Sequence, residues 1–130
     1  MAGKIIADTL EHSTAGSVTT DYVVNGSAKA WLNYAGFGTT FNDSNNASSA
    51  VDNGIGDYTF SFVSSMSDAN YAICSTAESA SAGVPVVSSN PAGDEQTASQ
   101  FNVEQGYTTT TPSYVNNDSK NYVSIFGDLA

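Results

Sequence analysis

Catalysis needs a nucleophile with a base, a set of metal ligands, or a pair of carboxylates in unlike surroundings. This chain has few candidates for each. Its one histidine, His12, lies in a polar N-terminal stretch, far in sequence from its one cysteine, Cys74. Cys74 sits in Tyr71-Ala-Ile-Cys-Ser, a strand-like run, so a buried free thiol is expected. A reactive thiol would need a neighbouring base, and a serine triad could draw only on His12. One Cys and one His cannot complete a usual zinc site. Asp43, Asp52, Asp57, Asp68, Asp94 and Glu95 all lie among Gly, Asn and Ser. In such turns an Asp caps its own backbone. A catalytic acid pair needs a cleft and a raised pKa in one partner, and the sequence shows neither. Asn42-Asp-Ser-Asn-Asn and Asn116-Asn-Asp-Ser are rich in oxygen. Neither has the alternating ligands and closing glutamate of an EF-hand. Gly36 and Gly38 lead into Thr-Thr-Phe, without the lysine of a phosphate-binding loop. The expectation is a protein with no catalytic residues, no metal and no cofactor.

Contact chemistry is better represented. Trp31, Tyr34 and Phe37 cluster, and their expected place is the core or a subunit interface rather than a sugar-binding surface. Tyr107 and Tyr114, with Asn116, Asn117 and Asp118, lie in a polar stretch read as a loop. Tyr and Asn give broad contact and adaptable hydrogen bonds at low entropy cost, so these five are the candidate receptor contacts. The formal charge is −10, from 13 acids and 3 lysines with no arginine. Lys4, Lys29 and Lys120 are scattered, which excludes the cation cluster that nucleic acid or anionic lipid would need. No apolar run approaches the ~20 residues of a membrane span. The N-terminus lacks the apolar stretch of about 7–15 residues found in a signal peptide, so folding in a cytoplasm without secretion is expected.

The elements that must position these residues read as β. The 130 residues suit one domain. Only 12 % are charged, about half the usual share, and Ser, Thr, Asn and Gly fill the gap. No 3.6-residue apolar period persists. Ala28–Tyr34 reads as an aromatic strand. Asn53-Gly54 is a hairpin signal, because both residues tolerate positive φ. Tyr58-Thr-Phe-Ser-Phe alternates, putting Tyr58, Phe60 and Phe62 on one face. Strands are also expected at 71–76, at 84–87 with Pro85 marking an edge or a strand start, at 99–103 and at 122–127. The segments 42–49, 77–83, 89–97 and 106–119 read as long polar loops. Short strands at this spacing predict an antiparallel β-sandwich, jelly-roll-like, over residues 28–130. Residues 1–27 read as an extended arm, too poor in apolar residues for its own core. Ile5, Ile6 and Leu10 are its candidate attachment residues to sister subunits or another assembly partner. Fully extended, such an arm reaches at most about 90 Å.

A set of motifs carries a family resemblance. Ala30-Trp-Leu-Asn-Tyr-Ala-Gly, Phe41, Val51-Asp-Asn-Gly-Ile-Gly-Asp-Tyr-Thr-Phe-Ser-Phe and Ser65-Met-Ser-Asp-Ala-Asn-Tyr-Ala are followed late in the chain by Tyr122-Val-Ser-Ile-Phe-Gly. Together they resemble a domain of bacteriophage tail fibre and virion structural proteins. The likeness covers residues 25–75 well and 120–127 loosely; residues 77–119 carry none of it. It implies a virion surface location, a homotrimer, other virion proteins as partners, and host contact through a surface glycan or protein. It implies no catalytic residues. A trimeric fibre or fibre tip is the first expectation, and a capsid decoration or head fibre protein is the alternative. A glycan-degrading enzyme ranks behind both.

Overall fold

A computed structural model describes residues 3, 6–78, 84–89, 96–109 and 114–130. The fold is all-β apart from one short helix, and every strand pairing is antiparallel. The elements run β1 (Thr9–His12), β2 (Gly16–Thr19), α1 (Thr20–Gly26), β3 (Ala30–Tyr34), β4 (Phe41–Asn45), β5 (Ala47–Gly54), β6 (Asp57–Phe62), β7 (Ala72–Ala77), β8 (Val84–Ser89), β9 (Gln100–Thr108), β10 (Tyr114–Asn116) and β11 (Asn121–Phe126).

Two sheets form the sandwich. One has four strands in the order β4-β3-β11-β7. The other holds β10, β9, β6 and β5, with β8 also on β9. A strand has only two edges, and this decides the arrangement around β9. Residues 103–104 pair with both β6 and β8, and residues 106–108 with both β8 and β10. So β8 takes one edge, while β6 and β10 follow one another along the other. Pro85 is the second residue of β8, which among the described residues pairs only with β9, so it marks both a strand start and an edge.

Alternation fills the interior. Tyr58, Phe60 and Phe62 of β6 are buried, and so are Ala30, Leu32 and Tyr34 of β3, Phe101 and Val103 of β9, and Val123 and Ile125 of β11. Rings lock the sheets together. Tyr34 meets Tyr58 edge-on at 4.7 Å and Phe60 at 5.1 Å between centroids. Each buried Leu, Val, Ile or Phe among them contributes roughly 1.5–3 kcal/mol by leaving water.

The chain changes sheets between β4 and β5 at Asn46, the one non-glycine residue with positive φ (56°) among those described. Its amide ties the corner to the far end of β6: Asn46 Nδ2 donates to Ser64 O (3.0 Å), and Ser64 N donates to Asn46 Oδ1 (2.7 Å). Asn tolerates this conformation because its short polar side chain can bond locally.

The structure corrects several expectations. Residues 42–49 are not a loop but most of β4 and the start of β5, and residues 106–108 and 114–116 are strand as well. Polar side chains suit these strands because much of their surface faces solvent. The hairpin turn falls on Ile55-Gly56, not Asn53-Gly54. Gly56 is fixed there by contact with β9: a Cβ on it would lie 2.3 Å from Gln105 O. Residues 6–27 are not simply extended. They form the β1–β2 hairpin and α1, and no described residue among them is buried.

Candidate functional site

The sequence-derived candidates separate into distinct places. Ile6 is 81 % exposed, and Leu10 pairs with Val18 across the β1–β2 hairpin. Ile5 lies outside the described residues. Tyr107 belongs to β9, not to a loop, and shares the parity of Phe101 and Val103. Tyr114 and Asn116 belong to β10 and register with Thr108 and Gly106, on the opposite face. The two tyrosines therefore do not form one patch. The Tyr114 ring lies over Gly106, and burial, then the Glu104 charge, pushes its phenol upward.

Asn117 and Asp118 are tied to the body of the protein. Asn117 N donates to Gln105 O (3.2 Å). Asp118 Oδ1 accepts from Gly56 N (2.7 Å) and from the Tyr58 hydroxyl (2.5 Å). The same hydroxyl also lies 2.6 Å from Gly36 O. This node closes one end of the sandwich. Burial and Asp118 hold the Tyr58 phenol far above its ordinary range. Burial, with Asp52 and Asp118 behind it, pushes Tyr34 up to about 12. Burial alone pushes Tyr71 to about 12.

The chemistry-bearing groups are structural or isolated. His12 Nδ1 accepts from Thr14 N (3.3 Å) and Ala15 N (3.1 Å) within its own exposed hairpin. Asp43, Asp52 and Asp68 accept backbone N–H bonds from Ser44, Gly54 and Asn70. The bonds from Asn70 hold the Asp68 carboxyl below its ordinary range. Asp94 and Glu95 lie outside the described residues. Among the described residues no group of three His, Cys, Asp or Glu could hold a metal ion.

One surface was not legible as a unit in the sequence: the outer face of the four-stranded sheet. Cys74 is exposed there, contrary to the expected buried thiol. The strand at 71–76 is real, but Ile73 packs against the core and turns its neighbour outward. Across three strands, Trp31, Ser124 and Cys74 form one row, and Asn33, Tyr122 and Thr76 form the next. Asn45 and Asp43 of β4 extend the two rows. The residues of β3, β11 and β7 in these rows line a groove of about 560 Å³, within the ~300–1,000 Å³ range of small-molecule sites. Trp31 and Tyr122 are 37 % and 39 % exposed, so both rings are reachable. Of the sequence cluster around Trp31, Tyr34 is in the core, whereas Phe37 is exposed in the following turn. A bulge at Asn42 lets its Nδ2 donate to Asn33 Oδ1 (3.0 Å), which fixes the Asn33 amide beside the rings.

Comparison of the chain with family models, with curated proteins and with solved structures finds no match.

Proposed function

We propose that this chain is a non-catalytic virion surface protein, a trimeric fibre or fibre-tip domain that contributes to attachment to the host. The observation that carries the reading is the contrast between a closed sandwich and an apolar N-terminal segment that it does not cover. Ile6, Leu10, Val18, Tyr22, Val23 and Val24 are all exposed. The segment contacts the sandwich near Lys29, whose ammonium donates to Val24 O and Ser27 Oγ. Apolar side chains held in water gain roughly 1.5–3 kcal/mol each when a partner buries them. A few of them suffice to dock this segment on a neighbouring subunit or on another virion protein.

The resemblance to fibre proteins supports the same reading. Its motifs fall on the scaffold: β3, the β5–β6 hairpin, the turn leading to β7, and β11. Attachment of this kind needs no chemistry. It needs many weak sites on one particle, which multivalency strengthens.

Antibody against this chain, coupled to gold and applied to intact virions, tests the assignment. Label at tail-fibre ends is expected. Label on capsid faces would move the protein to a decoration role, and unlabelled virions would overturn the reading. Light scattering of the purified chain is expected to give a trimer.

A further inference from the structure

We infer that the outer face of the four-stranded sheet binds neutral hexose units of a cell-surface glycan, with Trp31 and Tyr122 as the stacking surface. The inference rests on the attachment reading and names its ligand class.

Strand register makes Trp31 and Tyr122 diagonal neighbours on adjacent strands, since Trp31 opposes Ser124 and Tyr122 opposes Asn33. Such positions lie about 7 Å apart, enough for two rings to contact one sugar or two linked sugars. An aromatic face is electron-rich and attracts the weakly positive C–H groups on the flat side of a pyranose. Both rings have few rotatable bonds and sit on a central pair of strands, so little freedom is lost on binding.

The surroundings select the ligand. Asn33, Thr76 and Ser124 stand beside the rings, and their amide and hydroxyl groups match sugar hydroxyls. Among the described residues no Lys lines the groove, the chain has no Arg, Asp43 continues one row, and the net charge is −10. Sialylated, phosphorylated or sulfated sugars would be repelled, so the fit is to neutral ones. A second copy of this chain is the competing occupant, and the oligomeric state with and without a maleimide on Cys74 separates the two.

The molecule carries its own probes. Trp31 is the only tryptophan and Cys74 the only cysteine, and both line the groove. The full chain is passed over an array of immobilised neutral gluco-, galacto-, manno- and N-acetylglucosamine oligosaccharides. The best of these is then titrated in solution while Trp31 emission is followed. Binding with a shift of Trp31 emission is expected. Calorimetry with Trp31→Ala and Tyr122→Ala should each show about tenfold weaker binding, the scale of one lost aromatic stack. Phe37→Ala, at an exposed aromatic outside the groove, should bind like the wild type. A bulky maleimide on Cys74 should block binding without any substitution.

Three results would overturn the inference. One is no binding to any neutral oligosaccharide on the array. Another is binding unchanged by both substitutions and by the maleimide. The third is an oligomer that the maleimide dissociates, which would make the face a subunit contact. The two readings fail separately. Glycan binding by a protein missing from virions would sink the fibre assignment alone, and virion label without glycan binding would sink this site alone.

Discussion

Substitution Tyr58→Phe removes one oxygen from a fully buried ring and leaves the packing unchanged. The hydroxyl lies 2.5 Å from Asp118 Oδ1 and 2.6 Å from Gly36 O, so its single hydrogen serves two acceptors. A hydrogen bond to a charged group contributes about 1.5–3 kcal/mol. Asp118 is itself exposed and can recover water, which favours the lower part of that range, while the carbonyl of buried Gly36 loses its donor. The expected loss is about 2 kcal/mol. Asp118→Ala removes the same partner and also leaves Gly56 N–H without its acceptor, for a loss of about 3 kcal/mol. Because both changes break one bond, the double variant should lose less than the sum, with a coupling of about 1.5 kcal/mol. Urea unfolding of the four proteins measures this. With a typical slope, Tyr58→Phe should lower the midpoint by about 1 M. A Tyr58→Phe variant within about 0.5 kcal/mol of wild type, or a coupling near zero, would show that the node does not hold this end of the sandwich closed.

Gly56→Ala places a non-glycine residue at φ 72° and its Cβ 2.3 Å from Gln105 O, in a backbone that cannot yield cheaply. It should cost about 3 kcal/mol or more, read by thermal or urea unfolding. Raising the pH should unfold the protein. Tyr34 and Tyr71 ionise near 12 when folded, against an ordinary 10.0, so the unfolded chain loses its protons first. Stability is then intact below pH 10 and falls as pH rises towards 12, by up to about 1.4 kcal/mol per pH unit for each tyrosine. Unfolding midpoints followed by tyrosinate absorbance check the slope. Asn121 is fully buried, and neither amide atom has a protein partner. A crystal structure should place an ordered water about 3 Å from that amide, since buried polar groups are seldom left unpaired. Leu10→Asp, on the exposed hairpin, should weaken self-association in light scattering while leaving the unfolding midpoint of the sandwich unchanged.

Much of the scaffold could be read from residue order. The alternation in Tyr58-Thr-Phe-Ser-Phe placed three aromatics on one face, and Phe60 and its neighbours are buried there. Pro85 marked an edge or a strand start, and it sits at the start of β8. Asp68 caps its own backbone in a turn as expected, whereas Asp43 and Asp52 accept backbone N–H bonds from within β4 and β5, and Asp57, at the start of β6, accepts from the Asn53 side chain. Polar strands were the weak point. Asn42–Ser49 has the composition of a loop, and only its pairing with β3 and β6 makes it strand. Asp118 resembled a surface contact because nothing local reveals that Gly56 and Tyr58, some sixty positions away, supply its hydrogen bonds.

The surface proposed for binding divides in the same way. Sequence alone determined that the charge is strongly negative and that Trp31 and Tyr122 lie in strands. A period of two is a local property of the backbone, and the sequence states it directly. Tertiary structure decided that β11 lies between β3 and β7, and in which register. That pairing sets Tyr122 diagonal to Trp31 and turns Cys74 outward beside them. Strand order follows from how two sheets bury a shared interior, a non-local sum that no single segment encodes. The strands that carry the rings could therefore be read in the sequence, whereas the groove could be seen only once the sheets had closed.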